Sequence, residues 1–257
     1  MPKGCMLSHD NLVWSAVEMM ELLTEEKPEL VGPSNRLVSY LPLSHIAGLF
    51  SDILMHLMHG CELYFARPDA LQGTLVDTMK YARPTAFFAV PRVWEKFEER
   101  LKAAAAEAPA IATKISAWAK GYGTAHVNAM MNKTDVPMMY SLANFLILSK
   151  IKQAIGLDQC EAFFFGAAPL KKSSMEYFAS LDMPLFNMYG MSESTGGTTV
   201  HTMSKFNLVS AGWALPGTDL RIDNPDENGE GEICMRGRNT MMGYLKNEKA
   251  TVETIDG

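Results

Sequence analysis

The chain has 257 residues, 47% of them hydrophobic, enough to bury a sizeable core as one large domain or two modest ones, which excludes disorder as the default reading. With 29 acidic against 23 basic residues the formal net charge is -6, and no basic run exceeds the pair Lys171-Lys172, so no nucleic-acid partner is expected. The four cysteines, Cys5, Cys61, Cys160 and Cys234, lie far apart with no zinc-finger spacing, and no signal-peptide pattern or 18-residue apolar run occurs; they read as reduced, mostly buried thiols in a cytoplasmic protein.

Ser8 or Asp10 can cap a helix whose apolar positions Leu12, Ala16, Met19 and Leu23 recur on one face. A breaker from Lys27-Pro28 to Gly32-Pro33 precedes a strand, Leu37 to Leu41, that stops at Pro42. A helix fits Ile46 to Met58, ended by Gly60, and a strand Glu62 to Phe65 follows. A helix near Leu71 to Tyr81 and a strand from Thr85 to Val90 continue the alternation, which predicts an α/β fold with a mainly parallel sheet. From Trp94 to about Lys120 the Ala, Glu and Lys content predicts one long helix, with Gly121-Tyr122-Gly123 as its end. Met138 to Ile155 reads as a further helix, amphipathic enough to lie on a bilayer although packing into the core is the simpler use. The strand Ala162 to Phe165 leads into the turn Gly166-Ala167-Ala168-Pro169 and another helix, which puts a ligand-facing loop at a strand's carboxyl end. After about Lys205 short alternating segments such as Leu220-Arg221-Ile222 and Glu232 to Met235 predict antiparallel β structure.

The usual phosphate loop is absent, and Gly121-Tyr122-Gly123 lacks the third glycine of a dinucleotide fingerprint. Five short segments stand in a fixed order instead: Pro2-Lys3-Gly4, Leu41-Pro42-Leu43-Ser44-His45, Gly166 to Pro169, Tyr189-Gly190-Met191-Ser192-Glu193, and Gly231 to Gly237. Together they resemble the adenylate-forming superfamily of acyl-CoA synthetases, luciferases and peptide-synthetase adenylation domains, and the resemblance spans the whole chain. Val90-Pro91-Arg92-Val93-Trp94-Glu95-Lys96 and Pro68 to Leu75 are similar to the bubblegum type of long-chain fatty acyl-CoA synthetase.

The resemblance implies a fatty acid:CoA ligase that forms an acyl-adenylate from ATP, with Mg²⁺ and coenzyme A as cofactor and co-substrate. Such chemistry needs a cradle for the triphosphate, a cation to neutralise it, and a slot that aligns the carboxylate with the α-phosphorus. By resemblance Lys3 contacts phosphate, and Gly166, Ala167, Ala168 and Pro169 form an adenine platform with Tyr189 and Gly190. Asn187 faces the adenine amine, with Met188 where the family commonly has glycine. Ser192 donates to phosphate, where threonine is more common, and Glu193 binds Mg²⁺, a hard cation that prefers oxygen. His45 lines the junction of acyl group and adenylate; read without its motif it is a core histidine bonded to backbone. Gly48, Leu49 and Phe50 stand where some long-chain enzymes carry a gating tryptophan.

His56 and His59, three apart on a helix, lack a third ligand, and the sequon Asn132-Lys133-Thr134 is set aside for a cytoplasmic chain. The resemblance further implies a ribose-binding segment, a hinge and a small mobile C-terminal domain beyond Gly257. The chain is thus expected to be a fragment with little ligase activity of its own: an α/β part at 1–205 and a β-rich part at 206–257 of the large N-terminal domain. Two other readings stay open, an adenylating enzyme for another carboxylic acid and a non-catalytic truncated binding product. Contact with a membrane such as the endoplasmic reticulum also stays open, because fatty acids partition into bilayers.

Overall fold

The computed structural model describes residues 3–255. Strand β1 (Cys5–Met6) leads to α1 (His9–Glu26), which starts where Ser8 accepts from the Asn11 amide and the Asn11 side chain accepts in return from the Ser8 amide. Then come β2 (Arg36–Ser39) and α2 (residues 46–59), a helix with one wide turn over Leu49–Leu54 and a left-handed stop at Gly60. Next are β3 (Glu62–Phe65), α3 (Leu75–Ala82), preceded by a short turn at Ala70–Gln72, and β4 (Ala86–Ala89). Helices α4 (Pro91–Ala106), α5 (Ala110–Asn132) and α6 (residues 140–154) are followed by β5 (Ala162–Gly166), α7 (Lys172–Ser180) and β6 (Leu185–Tyr189). The rest is β7 (Thr199–Val200), β8 (Trp213–Ala214), β9 (Asp219–Asp223), β10 (Glu232–Arg236), β11 (Gly243–Tyr244) and α8 (Glu248–Thr254).

One expectation is corrected. The single helix from Trp94 to Lys120 is two helices, split before Ala110 by Pro109, and the second runs straight through Gly121 and Gly123 to Asn132. Gly123 is a packing residue: a Cβ there would sit 2.2 Å from the Ser180 carbonyl at the end of α7. As expected, the pairing in the α/β part is mainly parallel: β2 pairs with β3 in parallel, and the main sheet runs in the order β4-β5-β6-β7-β8. Strands β4, β5 and β6 are parallel, but β7 and β8 add antiparallel, and β9 and β10 form a separate antiparallel ribbon. Strands β7 and β8 have two residues each, too short for a period-two pattern to show.

Helices pack on both faces of the parallel strands. On one side Trp94, fully buried, lies edge-on to Phe87, Phe97 and Phe178 and donates its indole N–H to the Phe164 carbonyl at 3.1 Å. On the other, Met19, Phe50, Met55, Phe164, Phe186 and Val127 form a second cluster. The chain on the two sides of residue 205 is stitched together by the β7–β8 and β1–β11 pairings. No described helix is long and apolar enough to cross a membrane.

Candidate functional site

A cavity of about 360 Å³ lies between α1, α2 and the sheet. Its lining starts at Asn35 and Thr85, where β2 and β4 begin, and reaches Ala167 and Gly190, in the turns beyond β5 and β6. A five-residue strand spans roughly 15 Å, so the cavity is long as well as apolar, walled by side chains such as Met19, Phe50, Met55 and Phe164. His45, Ser192 and Glu193 also line it.

Strand periodicity divides the Tyr189 motif. Met188 and Gly190 face the cavity, whereas Asn187 and Tyr189 are not among its lining residues. The Asn187 amide N–H donates to His201 Nδ1 at 3.1 Å, and Nε2 of that ring lies 3.2 Å from Ser210 Oγ. His201 is 1% exposed, and burial lowers its pKa to about 4, so the ring is neutral with its proton on Nε2.

The turns are built for close approach. A Cβ on Gly166 would lie 2.3 Å from the Met188 carbonyl, and one on Gly190 would lie 1.5 Å from the Gly196 carbonyl. Ala167 adopts φ 67°, a left-handed conformation uncommon for alanine, and with Ala168 and Pro169 it is exposed. Below Ser192–Ser194, the fully buried Ser194 and Thr195 fasten the loop: Ser194 Oγ accepts from the Met191 amide at 3.1 Å, and Thr195 donates to the Asn239 carbonyl at 2.7 Å.

Glu193 Oε1 accepts from the Tyr244 hydroxyl at 2.7 Å, while Oε2 takes no hydrogen bond among the described residues. The Lys3 ammonium lies 4.2 Å from the centroid of the same tyrosine ring. The β1–β11 pairing, Cys5 opposite Tyr244, brings these groups together. Burial, and after it the Glu193 carboxylate, push the Cys5 thiol up to about 11. Pro2, of the motif Pro2-Lys3-Gly4, lies outside the described residues.

His45 is exposed at the start of α2, where Nδ1 accepts from the Ala47 amide at 3.1 Å. The neutral ring therefore carries its proton on Nε2. About two turns further along, Asp52 is 6% exposed and its Oδ2 has no partner among the described residues. Burial raises its pKa, partly offset by Ser51 and Ser39. Ser51 Oγ is 2.7 Å from the Ala47 carbonyl and 2.5 Å from Asp52 Oδ1, and one hydroxyl proton cannot serve both.

No group of three or more His, Cys, Asp or Glu suited to a metal occurs among the described residues. His59 Nδ1 lies instead 3.1 Å from the Leu30 carbonyl.

The family model described as AMP-binding enzyme matches residues 1–245. The chain belongs to the AMP-binding enzyme family. It is 47% identical to the long-chain-fatty-acid–CoA ligase ACSBG2 of Gallus gallus over 260 residues, covering 99% of this chain and 33% of that protein. It is 40% identical to the long-chain-fatty-acid–CoA ligase ACSBG1 of Mus musculus, covering 99% of this chain and 35% of that protein. The chain thus spans about a third of the length of the curated relatives it matches. Among solved structures, ATP-bound MatB from Rhodopseudomonas palustris superposes with a TM-score of 0.63 at 22% identity, over 99% of this chain and 40% of that one. The o-succinylbenzoate CoA synthetase MenE of Bacillus subtilis in complex with its product analogue reaches 0.67 at 18%, over 100% and 42%. These likenesses establish the α/β fold as that of an adenylate-forming enzyme's N-terminal domain.

Of the residues singled out from the sequence, His45, Ala167, Gly190, Ser192 and Glu193 meet around the cavity. Gly166, Ala168, Pro169, Asn187 and Tyr189 are not among its lining residues, and Lys3 rests on Tyr244. The sequence reading missed Tyr244, Asp52 and His201. Tyr244 follows the last motif by seven residues and touches Glu193 only through the fold; Asp52, the one acid on the mostly apolar helix α2, was the one local signal available.

Proposed function

We propose that this chain carries the acid- and nucleotide-facing part of an AMP-forming long-chain fatty acid:CoA ligase. The carrying observation is the long apolar cavity whose lining includes His45, Ser192 and Glu193. The names of the relatives support the same reading.

In this reading the alkyl chain lies along the cavity, where each buried methylene is worth about 0.8 kcal/mol, so affinity rises with chain length. His45 Nε2–H donates to the acyl carboxylate and fixes its direction. The exposed turn Gly166-Ala167-Ala168-Pro169 and the Tyr189 ring flank the adenine, with Asn187 toward its amine. Ser192 donates to the α-phosphate and Lys3 leaves the Tyr244 ring for the β- and γ-phosphates. Coenzyme A is the acceptor of the acyl group.

Glu193 fits Mg²⁺, which is commonly held by one or two carboxylates with substrate phosphates and water completing the shell. Its Oε2 is open while Tyr244 steadies Oε1. When bound, the ion neutralises phosphate charge. The protein's own part is to hold the carboxyl and phosphate in line and to keep water out of the apolar slot.

The test is calorimetric titration of the chain with palmitate and with butyrate. Palmitate is expected to bind at least tenfold more tightly, and Ala47→Trp, which fills the cavity, to abolish the difference. Equal affinity for the two acids would refute the reading.

A further inference from the structure

We propose that the hairpin formed by α5 and α6 is a docking surface for a membrane containing anionic lipid. One face of α6 and its approach, spaced three or four residues apart, is apolar and bare: Met138 is 92% exposed, Phe145 is 73% exposed, and Leu142 and Leu146 lie between and beside them. The opposite face packs on α5 through Leu148 and Ala143 against Ala119. This helix is therefore amphipathic with its outer apolar stripe left uncovered, and such a contiguous patch marks an interaction site.

The charge around it says what covers it. Residues 108–154 contain five lysines, Lys114, Lys120, Lys133, Lys150 and Lys152, and a single acid, Asp135, in a chain whose net charge is -6. Lys152 is spent on Asp182, and Lys120 lies over the Tyr177 ring. The other three, Lys114, Lys133 and Lys150, are exposed and have no ion-pair partner among the described residues. Lys150 stands one helical turn beyond Leu146, and Lys133 caps α5 in the connection that leads to Met138. Exposed Leu, Met and Phe on a segment of opposite sign to the rest of the chain match the two forces that hold an interfacial helix: apolar insertion and attraction to acidic headgroups.

The hairpin is also mounted rigidly. Asp182, beyond α7, receives Lys152 at 2.6 Å and the Tyr140 hydroxyl at 2.8 Å, and lies 2.6 Å from His126 Nδ1, so both helices are pinned at one point. At its far end α5 seats Val127, Met130 and Met131 in the cluster of Met19, Phe50 and Met55 that walls the cavity. A docked hairpin sets that wall close to the bilayer, a suitable place to collect an acid that partitions into lipid. The surface itself does not depend on the fatty-acid reading.

The experiment is co-sedimentation of the 257-residue chain with phosphatidylcholine vesicles, with and without phosphatidylserine. Binding is expected to favour the anionic vesicles and to weaken with salt. Lys133→Glu with Lys150→Glu should cost about fivefold per lysine, and Leu142→Ser with Phe145→Ser about tenfold or more. Because these side chains are exposed, circular dichroism and melting should not change. Hydrogen exchange of the parent chain gives a variant-free readout, with protection of residues 138–150 expected on adding anionic vesicles. Binding that ignores lipid charge, binding unchanged in either double variant, or no added protection overturns the proposal. So does a dimer that Phe145→Ser dissociates while vesicles are ignored, which assigns the face to a second copy. Palmitate titration without vesicles fails or succeeds separately, so loss of the enzyme reading is distinguishable from loss of this one.

Discussion

The Tyr244 hydroxyl donates to Glu193 Oε1 at 2.7 Å while the Tyr244 ring carries the Lys3 ammonium. One buried side chain thus joins the proposed metal-binding acid to the proposed phosphate-binding lysine, 190 positions apart in sequence. Tyr244→Phe keeps the ring and removes the donor. It is expected to cost about 1 kcal/mol in urea unfolding and to weaken magnesium-nucleotide binding several-fold in calorimetry. Unchanged metal dependence would count against the role given to Glu193. The bond to Glu193, then burial, raise the Tyr244 pKa. Its contribution is therefore present below the ordinary tyrosine value of about 10 and lost as pH rises through the higher folded value.

Two glycines in α5 should answer oppositely to alanine. Gly121 has open space around its Cβ position, and Gly121→Ala should stabilise by about 0.5–1 kcal/mol. Gly123 faces the Ser180 carbonyl at 2.2 Å, so Gly123→Ala should destabilise by about 2 kcal/mol as α5 and α7 are forced apart. Thermal melts of the two variants measure this, and a shift of the same sign for both would contradict the packing described.

Gly190→Ala should be the most damaging substitution in the motif, at about 3 kcal/mol, because its Cβ would fall 1.5 Å from the Gly196 carbonyl, a backbone atom with no room to swing aside. Urea unfolding should register the loss, and palmitate binding should fall with it. A stable Gly190→Ala protein would contradict the close approach of Gly190 to the Gly196 carbonyl.

His201 predicts a specific pH response. Its folded pKa, lowered to about 4 by burial, lies below the unfolded value of roughly 6.5, so the unfolded chain binds more protons between them. Stability should be full above pH 6.5 and decline as pH falls toward 4. His201→Gln, which retains a side-chain acceptor and donor, should flatten that part of the profile. If the variant keeps the parent's slope between pH 6.5 and 4, another group is responsible.

Asp182 acts in a lower window. Burial raises its pKa, but His126, Lys152 and Tyr140 together outweigh burial and leave it lowered. The stability it supplies is present above the unfolded value of roughly 3.9 and is lost as pH falls through the folded value. Asp182 has φ 59°, a conformation asparagine also tolerates, so Asp182→Asn isolates the charge. It should cost about 3 kcal/mol at neutral pH because Lys152 stays buried without its partner. Denaturant titration at pH 7 and pH 3 should find the gap at pH 7 narrowed at pH 3.

The sequence by itself determined the local elements and the family. The Ser8 cap, the strand at Glu62–Phe65, the antiparallel segments after residue 205 and the order of the motifs were readable because caps, period-two alternation and turn residues act between near neighbours. Tertiary structure alone decided the rest. Gly121 and Gly123 resemble a helix end until α7 packs on α5 and tertiary contacts outweigh helix propensity. The two-residue strands β7 and β8 exist only through their partners, which is why the sheet is mixed. The pleat of β6 decides that Gly190 faces the cavity while Asn187 and Tyr189 do not line it. The bond from Tyr244 to Glu193 and the bare apolar face of α6 arise from long-range packing, which sets buried partners and uncovered surfaces together, and no local pattern encodes either.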